Sequence, residues 1–323
     1  MRFESVWTLG VLFVIVAVFA ITTADFLTKQ AWLAISIDAT EVMLLAIGQT
    51  FVIVSRGIDL SVGAILGFAP FVGAWMMSKL IGHAGTPETI AVGFGVTIAV
   101  GLTLGLVNGF VITKMRITPF IATLGMLGIA TGATDVLNGG QEISNIPPHI
   151  VDIGNAQVLS GWIAIPVLVT AVVALASGFA LSYCRFGRRC YAVGSSPEAS
   201  LRAGISVDRH LIAVYVVSGG LAALSGFLVM SRLGVASVAA GQNDELNAIA
   251  AVVIGGASLF GGRGTIVGAV LGTLIIAVLN TGLIIANVDP SWQVVAVGLI
   301  LIAAVWADQQ RVGFVQRMSL RSR

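Results

Sequence analysis

The sequence is a succession of apolar runs, most about 17–25 residues long, separated by short turns that hold nearly all of its charge. A run of that length, wound as an α-helix, crosses the roughly 30 Å hydrocarbon layer of a bilayer. Ten such runs are read, over residues 6–23, 37–54, 60–80, 89–112, 119–137, 162–183, 210–231, 247–260, 265–286 and 291–307. They do not alternate apolar and polar with period two, which argues against a transmembrane barrel. In lipid only helices and closed barrels satisfy every backbone group. The expectation is an all-α polytopic membrane protein, with residues 1–323 forming one transmembrane domain. Its 10% charged content lies far below the roughly 25% of a soluble domain.

The basic residues orient these runs. With both termini in the cytoplasm, the inside collects Arg2, Arg56, Lys114, Arg116, Arg185, Arg188, Arg189, Arg202, Arg209, Arg263, Arg311, Arg317, Arg321 and Arg323. Only Lys29, Lys79 and Arg232 remain outside. The run 247–260 is thin and could be re-entrant, but that would carry Arg263 and the C-terminal arginines outside. A full crossing, short or partly broken, is expected instead. The outer loop 138–161 lacks Lys and Arg, carries Glu142, Asp152 and Pro147–Pro148, and has room for a short helix. The first run lacks a convincing small-x-small cleavage site, so it is read as an uncleaved span rather than a signal peptide. Cys184 and Cys190 fall in a cytoplasmic loop and are read as reduced, with no metal site. The net charge of +2 gives no reason to expect nucleic acid as a partner.

Catalytic patterns are missing from the sequence. His83, His149 and His210 sit in loops or at run ends, no HExxH occurs, and GGASLFGGRGT has the glycines of a phosphate loop without GK[ST]. The chain is therefore expected to be no enzyme, and any ATP hydrolysis belongs to another polypeptide. Ionisable residues inside the runs are scarce; Glu41 is read about one turn into its span. Gln49, Thr50, Thr103, Asn108, Ser218, Ser225 and Asn280 are uncharged and polar. They suit either a hydroxylated solute in passage or hydrogen bonds between helices. Glycines recur at four-residue spacing at Gly63 and Gly67, Gly101, Gly105 and Gly109, Gly128 and Gly132, and Gly268 and Gly272, which permits close helix packing. VGAILG at 62–67 and VGAVLG at 267–272 echo each other.

The loop 184–209 is the most charged segment. Within it, Ser195–Gly204 reads SSPEASLRAG. Ser196 is a suitable N-cap, Pro197 fits the first helical position, Glu198 complements the positive helix end, and Gly204 supplies a left-handed stop. A helix of about two turns is too short to persist alone in water. It must be held by its own spans or by a partner surface.

EASLRAG resembles the EAAxxxG coupling motif of ABC importer permeases, with Ser200 in place of the second Ala. AIGQTFVIVSRGIDLSVGAILG (46–67), ITPFIATLGM (117–126) and ELNAIAAVVIGGASLFGGRG (245–264) are similar to the ribose-type sugar permeases, whose members carry ribose, xylose, arabinose, galactose or autoinducer-2. The resemblance runs from about residue 35 to near the end. It departs at Arg56, where Gly is usual, and at Asn247, where Asp is usual. It implies an ABC importer permease bundle in a bacterial inner membrane, with a second permease subunit, a cytoplasmic ABC ATPase that binds ATP and Mg, and a periplasmic sugar-binding protein. It implies no cofactor in this chain. Ser196, Pro197, Glu198, Ala199, Arg202 and Gly204 would then couple to the ATPase. Gln49, Asn108, Asp244, Glu245 and Asn280 are the candidates for the translocation path. A branched-chain amino-acid-type permease and a stand-alone facilitator are the other readings.

Overall fold

The structure is a computed structural model that describes residues 2–289 and 291–299, together with 302, 303 and 306. From Arg2 to Ile285 the helices follow in order: α1 (Arg2–Thr22), α2 (Lys29–Val54), α3 (Val62–Leu80), α4 (Thr86–Lys114), α5 (Pro119–Leu137), α6 (His149–Asn155), α7 (Ile165–Tyr183), α8 (Arg185–Ser195), α9 (Pro197–Arg202), α10 (Val207–Leu233), α11 (Asp244–Ile254) and α12 (Ile266–Ile285). A short hairpin, β1 (Gln157–Val158) with β2 (Ile163–Ala164), begins in the 138–161 loop and ends against the start of α7. Among the described residues, seven helices, α2, α3, α4, α5, α7, α10 and α12, are long and apolar enough to cross a membrane. Residues 291–299 are mostly helical, as the tenth run requires, and most of the remainder of that run lies outside the described residues.

α10 is the centre of the bundle and packs against α4, α2 and α3. The glycine spacing explains why α4 can come so close. A Cβ on Gly101 would meet Gly219 and Ala223, one on Gly105 would meet the Tyr215 backbone, and one on Gly109 the Ile212 backbone. Where the surroundings are apolar, such backbone approach gains dispersion that longer side chains would prevent. Gly63 and Gly67 receive the chain at 240–241, and Gly268 and Gly272 receive α11. Gly128 and Gly132 on α5 face open space.

Two boundaries differ from the sequence reading. α2 starts at Lys29, eight residues early, because Thr28 caps it by accepting from the Ala31 amide at 3.2 Å. Glu41 is then twelve residues into the helix, about 18 Å from its start rather than one turn. The thin run proves to be a half-length helix. α11 has 11 residues, about 16 Å, and residues 234–243 before it form no α-helix. Ala236 bridges to Ile143 in the outer loop, and from there the chain descends beside α3 until α11 begins next to Glu41. Non-helical backbone survives at such depth only when protein or a water-filled cavity surrounds it.

Candidate functional site

The segment between α2 and α3 turns on Asp59. Its carboxylate accepts from the Ser61 amide at 3.0 Å, the Ser61 hydroxyl at 2.6 Å and the Ser218 hydroxyl of α10 at 2.9 Å. Asn108 on α4 donates to Ser61 Oγ at 2.8 Å, and Gln49 Nε2 donates to the Asp59 carbonyl at 3.3 Å. Asp59 is fully buried, as are Gln49 and Ser61. Asp59 and Ser61 together thus tie α2, α3, α4 and α10 around the GIDLS stretch. Asp59 does not cap α3 directly, whose N-cap residue is Ser61; it holds Ser61 in place and reaches across the bundle to α10, a role that the sequence did not disclose.

Two of the path candidates, Gln49 and Asn108, therefore meet at this knot inside the helix core, and they do not line the half-open cavity described next. Among the described residues, the buried Oδ1 of Asn280, on α12, has no hydrogen-bond partner. Gln49 Oε1 is likewise unpaired.

Glu245 is placed differently. It lines a half-open cavity of about 260 Å³ with Ala64 and Gly67 of α3, Thr131 and Thr134 of α5, and Gln242 and Asn243. Leu127, Thr131 and Thr134 share one face of α5 at helical spacing. The wall combines hydroxyl, amide and carboxylate groups over a floor of small residues, which suits a neutral polyhydroxy solute. Asn243 holds a left-handed backbone (φ +66°) that turns the incoming chain into α11.

Asp244, the next residue, does not line that cavity and lies beside Glu41 of α2. Asn247 donates to Asp244 Oδ1 at 3.2 Å. The unusual Asn at 247 is thereby explained: it supplies a donor where an Asp would add a third acid.

At the opposite end of α11 lies the charged loop. α9 forms as the sequence predicts: Ser196 Oγ accepts from the Ala199 amide at 3.2 Å, and Gly204 stands at φ +81°. Glu198, Ala199, Leu201 and Arg202 are exposed while Ser200 is buried, so the helix rests on one face and presents the other. Leu201, 65% exposed, is an apolar group held out on a polar loop. α8 was not anticipated. Its arginines drew the reading toward topology, although RFGRRCYAVGS also places Gly187, Cys190 and Gly194 on one buried face. Burial pushes the Cys190 thiol up to about 11, which keeps it protonated.

Comparison with known proteins supplies the family. The profile described as "Branched-chain amino acid transport system / permease component" matches residues 32–305. The chain is 36% identical to the D-allose transport system permease protein of Escherichia coli (strain K12), over 94% of this chain and 90% of that one. It is 39% identical to the ribose import permease protein of Bacillus subtilis (strain 168), over 93% and 91%. It is 37% identical to the fructose import permease protein of Rhizobium meliloti, over 81% and 72%. No solved structure matches significantly. With seven membrane-length helices and a family match that runs from α2 almost to the chain's end, the protein belongs to the branched-chain amino acid transport system permease component family.

Proposed function

We propose that this chain is the permease subunit of a binding-protein-dependent ABC importer that moves a sugar or sugar-like polyol into the cytoplasm. Two such subunits, identical or related, enclose the path across a bacterial inner membrane in a ten-span arrangement with both termini inside. A separate ATPase binds ATP and Mg and engages α9, and a periplasmic binding protein delivers the solute. The observation that carries the reading is α9 itself: a capped helix of six residues with Glu198, Ala199, Leu201 and Arg202 turned outward has a surface built for a partner. A facilitator would need no such helix. The relatives named for allose, ribose and fructose favour a sugar over an amino acid, as does the hydroxyl- and amide-lined cavity.

The test is uptake of labelled ribose, allose, fructose and galactose by cells expressing the chain with its ATPase and binding protein, and again without the ATPase. Uptake of one of these sugars that vanishes without the ATPase is expected. Uptake that persists would make the chain a facilitator. Uptake of leucine or valine in place of every sugar would move it to the amino-acid branch.

A further inference from the structure

The cytoplasmic helix and the cavity stand at opposite ends of α11, and the contacts between them contain almost no compliant side chain. The Ser196 amide donates to the Ala192 carbonyl at 3.0 Å, so α9 follows α8 without slack. α8 then meets two other segments at once. A Cβ on Gly194 would overlap the Val54 carbonyl oxygen at the end of α2 and lie 2.6 Å from the Gly262 amide. Gly262, at φ +73°, donates that amide to the same Val54 carbonyl at 2.9 Å. A Cβ on Gly261 would lie 2.8 Å from the Gly194 carbonyl. Tyr191 Oη donates to the Gly264 carbonyl at 2.8 Å. Three backbones (the end of α2, the end of α8 and the turn between α11 and α12) therefore form one clasp.

From that turn α11 runs about 16 Å to the residues of the cavity wall. Both echoed glycine motifs lie along this route. Gly268 and Gly272 bring α12 onto the backbone of Gly255 and Ala251, and Gly63 and Gly67 bring α3 onto Gly241 and Ala240. Backbone packed on backbone is stiff, because there is no rotamer to absorb a shift. A displacement that enters at α9 has a rigid route to Glu245 and Asn243.

We propose that α11 is the rod that carries the movement of α9 to the solute cavity, with the Gly194–Val54–Gly262 contact and the Tyr191–Gly264 hydrogen bond as its cytoplasmic joint. Tyr191 and Gly194 are positioning residues: they touch neither solute nor nucleotide. The inference rests on the importer reading and adds the path by which the ATPase reaches the solute.

The experiment reconstitutes the complete importer in proteoliposomes and measures solute moved per ATP hydrolysed in the presence of loaded binding protein. Tyr191→Phe keeps the ring and removes one hydrogen bond. Its transport per ATP should fall roughly two- to tenfold while hydrolysis stays near that of the unaltered protein. Gly194→Ala, which forces the clasp apart, should lower the ratio further. Gly178→Ala, whose Cβ would meet only Ile266 Cβ at 3.9 Å, should leave it unchanged. An unchanged ratio in Tyr191→Phe, or uptake and hydrolysis falling together, overturns the rod. If the unaltered importer shows no ATP-driven uptake at all, the importer reading itself fails and the rod with it.

Discussion

At Arg56 the backbone is left-handed, with φ +68°. A side chain there costs roughly 1–2 kcal/mol through the contact of Cβ with the following carbonyl, and glycine escapes it. This gives the physical reason for the Gly usual at this position in the resembling family. The Arg56 Cβ packs near Gly261. Arg56→Gly should therefore raise the thermal unfolding midpoint of the detergent-purified protein, by up to about 1 kcal/mol of stability once the looser unfolded chain is subtracted. Arg56→Ala keeps the strained φ and should give no gain. An equal gain from both would assign the effect to the charge. The Arg56 anomaly was readable in the sequence as a departure from pattern; the Asp59 knot was not. Ser61 and Ser218 are 157 residues apart, and no local signal joins them.

Among the elements, legibility followed how local the determinants were. α9 was read correctly because its start and stop lie within nine residues: Ser196 caps it and Gly204 ends it. The start of α2 was read late because Lys29 and Gln30 dilute the apolar signal, although Thr28 is a capping residue. That shift moved Glu41 from the headgroup region to the neighbourhood of Asp244. The cavity was invisible for a stronger reason: its wall joins α3, α5 and the 238–245 segment, and only Glu245 of its polar residues carried a sequence signal. The end of α9 gives the prediction at this scale. Gly204 stands at φ +81°, and a β-branched residue is strongly disfavoured there. Gly204→Val should disturb the exit from α9 while leaving the spans inserted. The expected result is normal membrane abundance, retained ATP hydrolysis by the assembled complex and loss of ATP-driven uptake. Normal uptake by the variant would remove α9 from the coupling route.

For the whole molecule, the two ends of the bundle differ in charge, and the contacts identify which loops share an end. At one end Lys114 pairs with Asp208 at 3.0 Å, Gly262 meets Val54, and Tyr191 reaches Gly264. These contacts gather Arg56, the arginines of α8 and α9 and Arg263 on one side. At the other end Lys29 donates to the Ser160 carbonyl at 2.9 Å, Asn155 to the Arg232 carbonyl at 2.8 Å, and Ser237 to Glu142 at 2.5 Å. Basic residues are retained on the cytoplasmic face during insertion, so the first end is expected inside. Single cysteines at Arg202 and Gln141, in a chain with Cys184→Ser and Cys190→Ala, test this with a membrane-impermeant thiol reagent. Arg202→Cys should react in inside-out vesicles and stay protected in intact spheroplasts, and Gln141→Cys should do the reverse. Reaction of both from one side would break the bundle's two-ended arrangement. Reaction of Arg202→Cys from outside would invert the molecule and put α9 beyond the reach of any cytoplasmic ATPase, removing the basis for an ATP-driven permease whatever the solute.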